Sequence, residues 1–101
     1  MKKGDFRFVV DDNAIYHTLS DFRSADARKK YQLLQQKEKD LDTMIDALDR
    51  VRAKYASGNQ SIKSQLTPGI LDQEKRVKEL REEIARLTLD IRNTEIRKLK
   101  N

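Results

Sequence analysis

Two long segments of this sequence carry apolar residues at alternating spacings of three and four, on either side of a break at residues 57–68. The stripe comprises Tyr31, Leu34, Leu41, Ile45, Leu48 and Tyr55 in the first segment, and Ile70, Val77, Leu80, Ile84, Leu87 and Ile91 in the second. Glu38 and Arg52 interrupt it in the first segment and Gln73 in the second. Such spacing places side chains on one narrow face of an α-helix, the seam that a partner helix covers. We therefore predict an all-α fold, an antiparallel helical hairpin of the coiled-coil type.

The boundaries of the helices follow from capping and turn residues. We predict a single domain over residues 1–101, with an N-terminal arm at 1–22, a first long helix at 23–57, a connector at 58–67 and a second long helix at 68–100. Gly58 and Asn59 favour a stop, and Thr67 suits an N-cap with Pro68 at the first helical position. The alternative keeps residues 61–66 helical, because apolar residues there recur every four positions.

The apolar positions of the two helices also predict a register for the hairpin. Folding the helices back on each other about residues 62–63 places Leu48 beside Val77 and continues to match apolar positions along both arms. The same register brings Lys30 beside Arg97, which is a repulsive pair. Because exposed ion pairs contribute about 0–1 kcal/mol each, the charges leave a shift of one heptad open.

The N-terminal arm is the densest apolar segment and contains all three phenylalanines. Residues 6–10 have strand-like alternation, and no second strand-forming run is evident elsewhere in the chain. A strand here would need another molecule as its partner, and the alternative is an extended arm packed on the helices. Residues 11–13 offer an N-cap for a short helix over residues 14–19.

A second apolar stripe follows the later part of the second helix at Ala85, Leu89, Ile96 and Leu99, on the face away from the seam. An antiparallel hairpin brings this part of the helix beside the N-terminal arm. We therefore predict a protein-interaction surface, completed by oligomerisation and most simply by a dimer. Its members are Phe6, Phe8, Val10, Tyr16, Leu19, Phe22, Leu89, Ile96 and Leu99. The alternative is that the stripe forms ordinary core for the chain's own arm.

Basic residues exceed acidic ones, with 22 Lys and Arg against 17 Asp and Glu, a formal charge of +5 and a pI near 9.6. The excess clusters near the start of the first helix and the end of the second. These possible anion-binding residues are Arg23, Arg28, Lys29, Lys30, Arg92, Arg97, Lys98 and Lys100. Acidic residues are interleaved throughout both helices and no helix-turn-helix spacing is evident, so nucleic acid is the weaker expectation.

Residues that carry chemistry are sparse. His17 is the only histidine, cysteine is absent, and the three glycines are too dispersed for a phosphate-binding loop. The sequence thus predicts no catalytic, metal or cofactor site and no enzyme. It contains no apolar run typical of a secretory signal or a membrane span, and we expect a cytoplasmic protein.

These observations favour a non-catalytic coiled-coil module for protein–protein interaction, acting as a scaffold, an adaptor or a chaperone-like protein. Its expected partners are a second copy of itself and another protein. The alternative is a small basic regulator that binds nucleic acid with the basic end of the hairpin.

Overall fold

A computed structural model of the protein describes residues 7–100. Its elements are β1 (Phe8–Asp11), β2 (Ala14–Tyr16), a short 3₁₀ helix (Leu19–Asp21), α1 (Ala25–Ser57) and α2 (Gln60–Lys100). The two long helices pack against each other as a helical hairpin, which confirms the predicted fold class, and the two short strands precede them. Of the predicted interaction residues, Phe6 lies outside the described residues.

The first helix begins after Ser24, inside the predicted range. The hydroxyl of Ser24 accepts the backbone N–H of Ala27 at 3.2 Å, and its carbonyl accepts the N–H of Arg28 at 3.1 Å. Ser24 is therefore the N-cap of α1. The helix ends at Ser57, and a Cβ added to Gly58 would lie 2.8 Å from a methyl group of Ile62. Glycine at position 58 thus permits the close approach of the first turn of α2 to the end of α1.

The predicted connector at residues 58–67 is wrong beyond its first two residues, because α2 begins at Gln60. Asn59 provides the cap: its side-chain oxygen accepts the N–H of Ile62 at 3.0 Å, and its carbonyl accepts the N–H of Lys63 at 2.9 Å. The alternative with helical residues 61–66 is the one that the structure contains. Pro68 lies inside α2 and does not start it.

The N-terminal arm folds as a β-hairpin within one chain. β1 pairs with β2 in antiparallel orientation, with Phe8 opposite Tyr16 and Val9 opposite Ile15. The predicted helix at residues 14–19 is therefore wrong, and so is the expectation that a strand here requires another molecule. Residues 11–13 form a turn, because the carboxylate of Asp11 accepts a backbone N–H at 2.8 Å.

The hairpin shows the alternation expected of a strand with one covered face. Phe8, Val10 and Tyr16 are buried, whereas Val9 and Ile15 are 38% and 41% exposed. The arm thus contributes its aromatic face to the core and leaves an aliphatic pair outside.

Contacts divide the chain into two compact units. The terminal unit comprises residues 7–35 and 85–100 of the described chain, and the central unit comprises residues 36–84. In the terminal unit the buried side chains are Phe8, Val10, Tyr16, Phe22, Ala27, Tyr31, Leu34, Ile91 and Glu95. In the central unit they are Leu48 and Val77, which line one groove together as the predicted register requires. The terminal unit therefore has the larger buried core.

The charged partners of Lys30 differ from the partner expected in the predicted register. Lys30 bonds to Asp90 at 2.9 Å and to Asp26 at 3.1 Å, so its predicted position beside Arg97 is wrong. A lysine side chain is long enough to reach along the partner helix to the nearest carboxylate. Both carboxylates raise the pKa of Lys30 above its usual value, Asp90 more than Asp26.

Candidate interaction site

A fully buried carboxylate connects the arm to both helices in the terminal unit. Glu95 of α2 accepts hydrogen bonds from the Tyr16 hydroxyl at 2.7 Å, from the Arg23 backbone N–H and from the Ser24 N–H at 3.2 Å. The two backbone donors lie at the start of α1, where the helix dipole favours negative charge. Glu95 is thus satisfied by groups from three parts of the chain and holds them together.

The sequence analysis did not predict this role, because it considered the C-terminal part of α2 only for its basic residues and its second apolar stripe. A signal was present: Glu95 lies four residues after Ile91 and so continues the apolar seam of α2. A lone carboxylate at a core position next to an aromatic-rich segment indicates a buried acceptor with donors nearby.

An aromatic cluster surrounds this carboxylate. Phe22 is 2% exposed, and the centroid of its ring lies 5.5 Å from Phe8, 5.0 Å from Tyr16 and 5.4 Å from Tyr31. Arg92 of α2 covers the ring of Phe8, with its guanidinium carbon 5.7 Å from the centroid. These contacts place the arm on its own helices through both apolar burial and a cation–π interaction.

Burial, reinforced by the hydrogen bond to Glu95, raises the pKa of Tyr16 well above its usual value. Protonated Tyr16 therefore stabilises the folded chain fully below the unfolded pKa of about 10, and this stabilisation is lost as the pH rises towards the folded value. We expect the free energy of unfolding to fall above about pH 10, and to fall less steeply in Tyr16→Phe.

Urea denaturation from about pH 8 to about pH 11 measures this slope. At neutral pH, Tyr16→Phe should cost about 1.5–3 kcal/mol for the hydrogen bond lost to a charged acceptor. The control is Tyr55→Phe in the central unit, which keeps the Tyr16 hydroxyl and should retain the steep fall. Equal slopes for the parent chain and Tyr16→Phe would contradict the buried bond.

The structure divides the predicted interaction residues into two groups. Phe8, Val10, Tyr16 and Phe22 are buried in the chain's own core. Leu89 and Leu99 are 57% and 40% exposed, and Leu19 and Ile96 are half-buried. A partner can therefore reach the stripe on α2, whereas the arm already covers its own aromatic side chains.

Five aliphatic side chains on the strands and on the second stripe of α2 form what we call the outer apolar patch. They are the exposed Val9, Ile15, Leu89 and Leu99 and the half-buried Ile96. Ile15 and Leu99 line one groove, and Ile15 lies opposite Val9 across the strands. The carbonyl of Val9 accepts the Arg92 Nε–H at 2.9 Å, and Arg92 lies on the same face of α2 as Leu89. Sequence reasoning missed Val9 and Ile15 because it had not recognised β2.

The predicted anion-binding residues also fall into two groups. Internal contacts engage Arg28, which donates to the Phe22 carbonyl at 3.2 Å, and likewise Lys30 and Arg92. The other five are exposed, namely Arg23, Lys29, Arg97, Lys98 and Lys100, and so are Arg28 and Arg92. Seven of the eight cations can therefore face a partner, and Lys30 is half-buried.

Formal charge is distributed unequally between the two sequence regions. Residues 1–35 and 85–101 contain twelve Lys and Arg against seven Asp and Glu, whereas residues 36–84 contain ten of each. The whole excess of +5 therefore belongs to the part of the sequence that carries the outer apolar patch.

Other polar groups of the terminal unit serve local structure. Backbone N–H groups of His17 and Thr18 donate to the carboxylate of Asp21 at 2.8 and 3.0 Å, and they hold the pKa of Asp21 below its usual value. Over residues 7–100 there is no group of three or more His, Cys, Asp or Glu side chains placed to hold a metal ion. In the same range, none of the helices is long and apolar enough to cross a membrane.

No protein-family model, curated protein or solved structure matches this chain.

Proposed function

We propose that this chain is a non-catalytic protein-interaction module that self-associates through the central unit and presents the terminal unit to another protein. The observation that carries the proposal is the thin core of the central unit. Leu48 and Val77 are the buried side chains there, although apolar residues follow both helices. A helical pair with half-exposed apolar side chains gains stability when a second pair covers them.

One flank of the central unit is apolar and the other is polar. Arg52 lies four residues after Leu48 and bonds to Glu74, which lies three residues before Val77. These positions mark the polar flank of the helix pair. Helix geometry places the residues four positions before and three positions after Leu48 or Val77 on the opposite side of the helix pair.

The apolar flank carries Met44 and Val51 of α1 and Leu80 of α2, all of them half-buried. Gln73, which interrupts the apolar stripe of α2, lies on the same flank, and its side-chain oxygen is buried without a hydrogen-bond partner. A second copy seated here would cover three aliphatic side chains and offer polar groups to the glutamine. Four helices would then surround one core, as in a four-helix bundle.

Charge is compatible with this arrangement. Residues 36–84 carry ten positive and ten negative side chains, so two central units have no net repulsion. Two terminal units would each bring the full positive excess, and like charges disfavour their close approach. Self-association through the central unit leaves the basic terminal unit available for a different partner.

Sedimentation equilibrium at micromolar concentration tests the proposal. We expect a mass of twice the 11.9 kDa chain for the unmodified protein, and a mass of one chain for the double variant Met44→Asp, Leu80→Asp. The matched control is Leu71→Asp, which changes a side chain that is 60% exposed in the same unit and should leave the dimer intact.

Circular dichroism on the same samples checks that helix content is preserved. A monomeric parent chain would contradict self-association. A dimer that survives the double variant and dissociates in Leu71→Asp would contradict the choice of flank.

A further inference from the structure

We infer that the outer apolar patch of the terminal unit is the docking site for an acidic amphipathic helix of another protein. This inference rests on the proposed function, since it names the partner that such a module would bind. The patch and the charge around it carry the argument.

The patch combines aliphatic side chains of the two strands with one stripe of α2. Val9 and Ile15 are 38% and 41% exposed and lie opposite each other on the outer face of the strands. Leu99, at 40% exposed, lines a groove with Ile15, and Leu89, at 57% exposed, continues the same stripe of α2. Contiguous exposed aliphatic side chains of this kind are typical of interaction surfaces.

The rim of the patch is positively charged. Arg23 lines the groove together with Ile15 and Leu99. Arg92 bonds to the carbonyl of Val9, and Lys100 lies four residues after Ile96 on the same face of α2. A helix with aliphatic side chains on one face and carboxylates on its flanks matches an apolar centre with a basic rim.

Two carboxylates also border the groove, and both have local donors. Asp21 accepts the N–H groups of His17 and Thr18, and Asp11 accepts the N–H of Asn13. These hydrogen bonds leave both carboxylates charged, and the three cations Arg23, Arg92 and Lys100 beside the patch exceed them by one positive charge.

Charge and chemistry exclude the other occupants in turn. A second copy would bring its own basic terminal unit against this one, and the like charges would repel. Nucleic acid would satisfy the cations with phosphates, but phosphates would leave the aliphatic side chains in water. An acidic amphipathic helix satisfies both features at once.

Fluorescence anisotropy with designed peptide probes tests the inference. The probe is a labelled helical peptide of about five turns, with leucine at spacings of three and four and glutamate on its flanks. The comparison peptides have the same composition in scrambled order, or lysine in place of glutamate. Labelled duplex DNA is titrated in parallel at the same salt concentration.

We expect the acidic amphipathic peptide to bind and the scrambled and lysine peptides to bind at least about tenfold more weakly. Leu89→Asp and the pair Arg23→Gln, Lys100→Gln should each weaken binding at least about tenfold, and added salt should weaken it further. Ile15→Thr is a milder second variant that keeps β propensity and should weaken binding in the same direction. Leu71→Asp in the central unit is the matched control and should bind as the parent chain does.

Equal binding of the scrambled peptide would overturn the inference, and so would binding that Leu89→Asp leaves unchanged. Tighter binding of duplex DNA than of the peptide, insensitive to Leu89→Asp, would assign the basic rim to nucleic acid instead. Sedimentation of the same preparation distinguishes a failure of peptide docking from a failure of the proposed self-association. A chain that dimerises but does not bind the peptide overturns the docking inference alone.

Discussion

Replacing Glu95 with alanine is expected to destabilise the chain by about 3–5 kcal/mol. The substitution removes the acceptor for the Tyr16 hydroxyl and for the backbone N–H groups of Arg23 and Ser24. Glu95 and its bond to Tyr16 are buried and the two backbone bonds are partly buried, so the donors lose an acceptor that water replaces only in part. Urea denaturation followed by circular dichroism measures the loss, and proteolysis at the arm reports local opening.

Two further variants make the Glu95 measurement specific. Glu82→Ala changes an exposed glutamate of the same helix and should alter stability by less than about 0.5 kcal/mol. Glu95→Gln can keep the oxygen that accepts from Tyr16 and Arg23 and turn its N–H₂ group towards the Ser24 N–H alone, so its cost should be smaller than that of alanine. A loss below about 1 kcal/mol in Glu95→Ala would contradict the buried hydrogen bonds.

Phe22→Ala is expected to produce a loss of similar size, about 3–5 kcal/mol. Phe22 is 2% exposed and contacts three aromatic rings, so its removal leaves a cavity that the neighbouring rings cannot readily fill. Folded domains of this size are stable by about 5–15 kcal/mol, and the variant should unfold at a markedly lower temperature.

The matched control for Phe22 is Leu33→Ala on α1. Leu33 is 50% exposed, and its truncation should cost less than about 1 kcal/mol. Equal losses for the two variants would show that the aromatic cluster is no more important than an exposed side chain, which contradicts the account of the terminal core.

The helical hairpin could be predicted from the sequence because its signal is repeated many times. The seam recurs along both helices, and each apolar residue supports the same register. The start of α1 was also predictable, since Ser24 precedes the repeat and its side chain caps the first turn. The capping residue and the apolar repeat therefore predict the same helix.

The start of α2 could not be chosen from the sequence because two caps compete. Asn59 and Thr67 are both good N-cap residues, and Pro68 favours the later start. The structure uses Asn59, whose side chain and carbonyl both accept N–H groups of the first turn. The start after Asn59 adds helical residues before Pro68 and so places one proline in the interior of the helix.

The β-hairpin was mispredicted because residues 11–13 are equally suited to a turn and to an N-cap. What decides between them is tertiary: Phe8 and Tyr16 lie opposite each other and are buried together in the core that Phe22 and Tyr31 complete. The residue types at positions 11–13 do not show that the core can cover one face of the flanking strands. The role of Glu95 was hidden for the same reason, because its donors lie more than seventy positions away.

The N-terminal arm packs on the α2 helix of its own chain, where the Tyr16 hydroxyl donates to Glu95. An isotope-filtered nuclear Overhauser experiment on a mixture of labelled and unlabelled chains tests this packing directly, using the ring protons of Tyr16 and the γ protons of Glu95. We predict cross-peaks between these protons within a labelled chain and none between labelled and unlabelled chains. Cross-peaks that arise only between chains would show that the arm is exchanged with another molecule and would contradict the account.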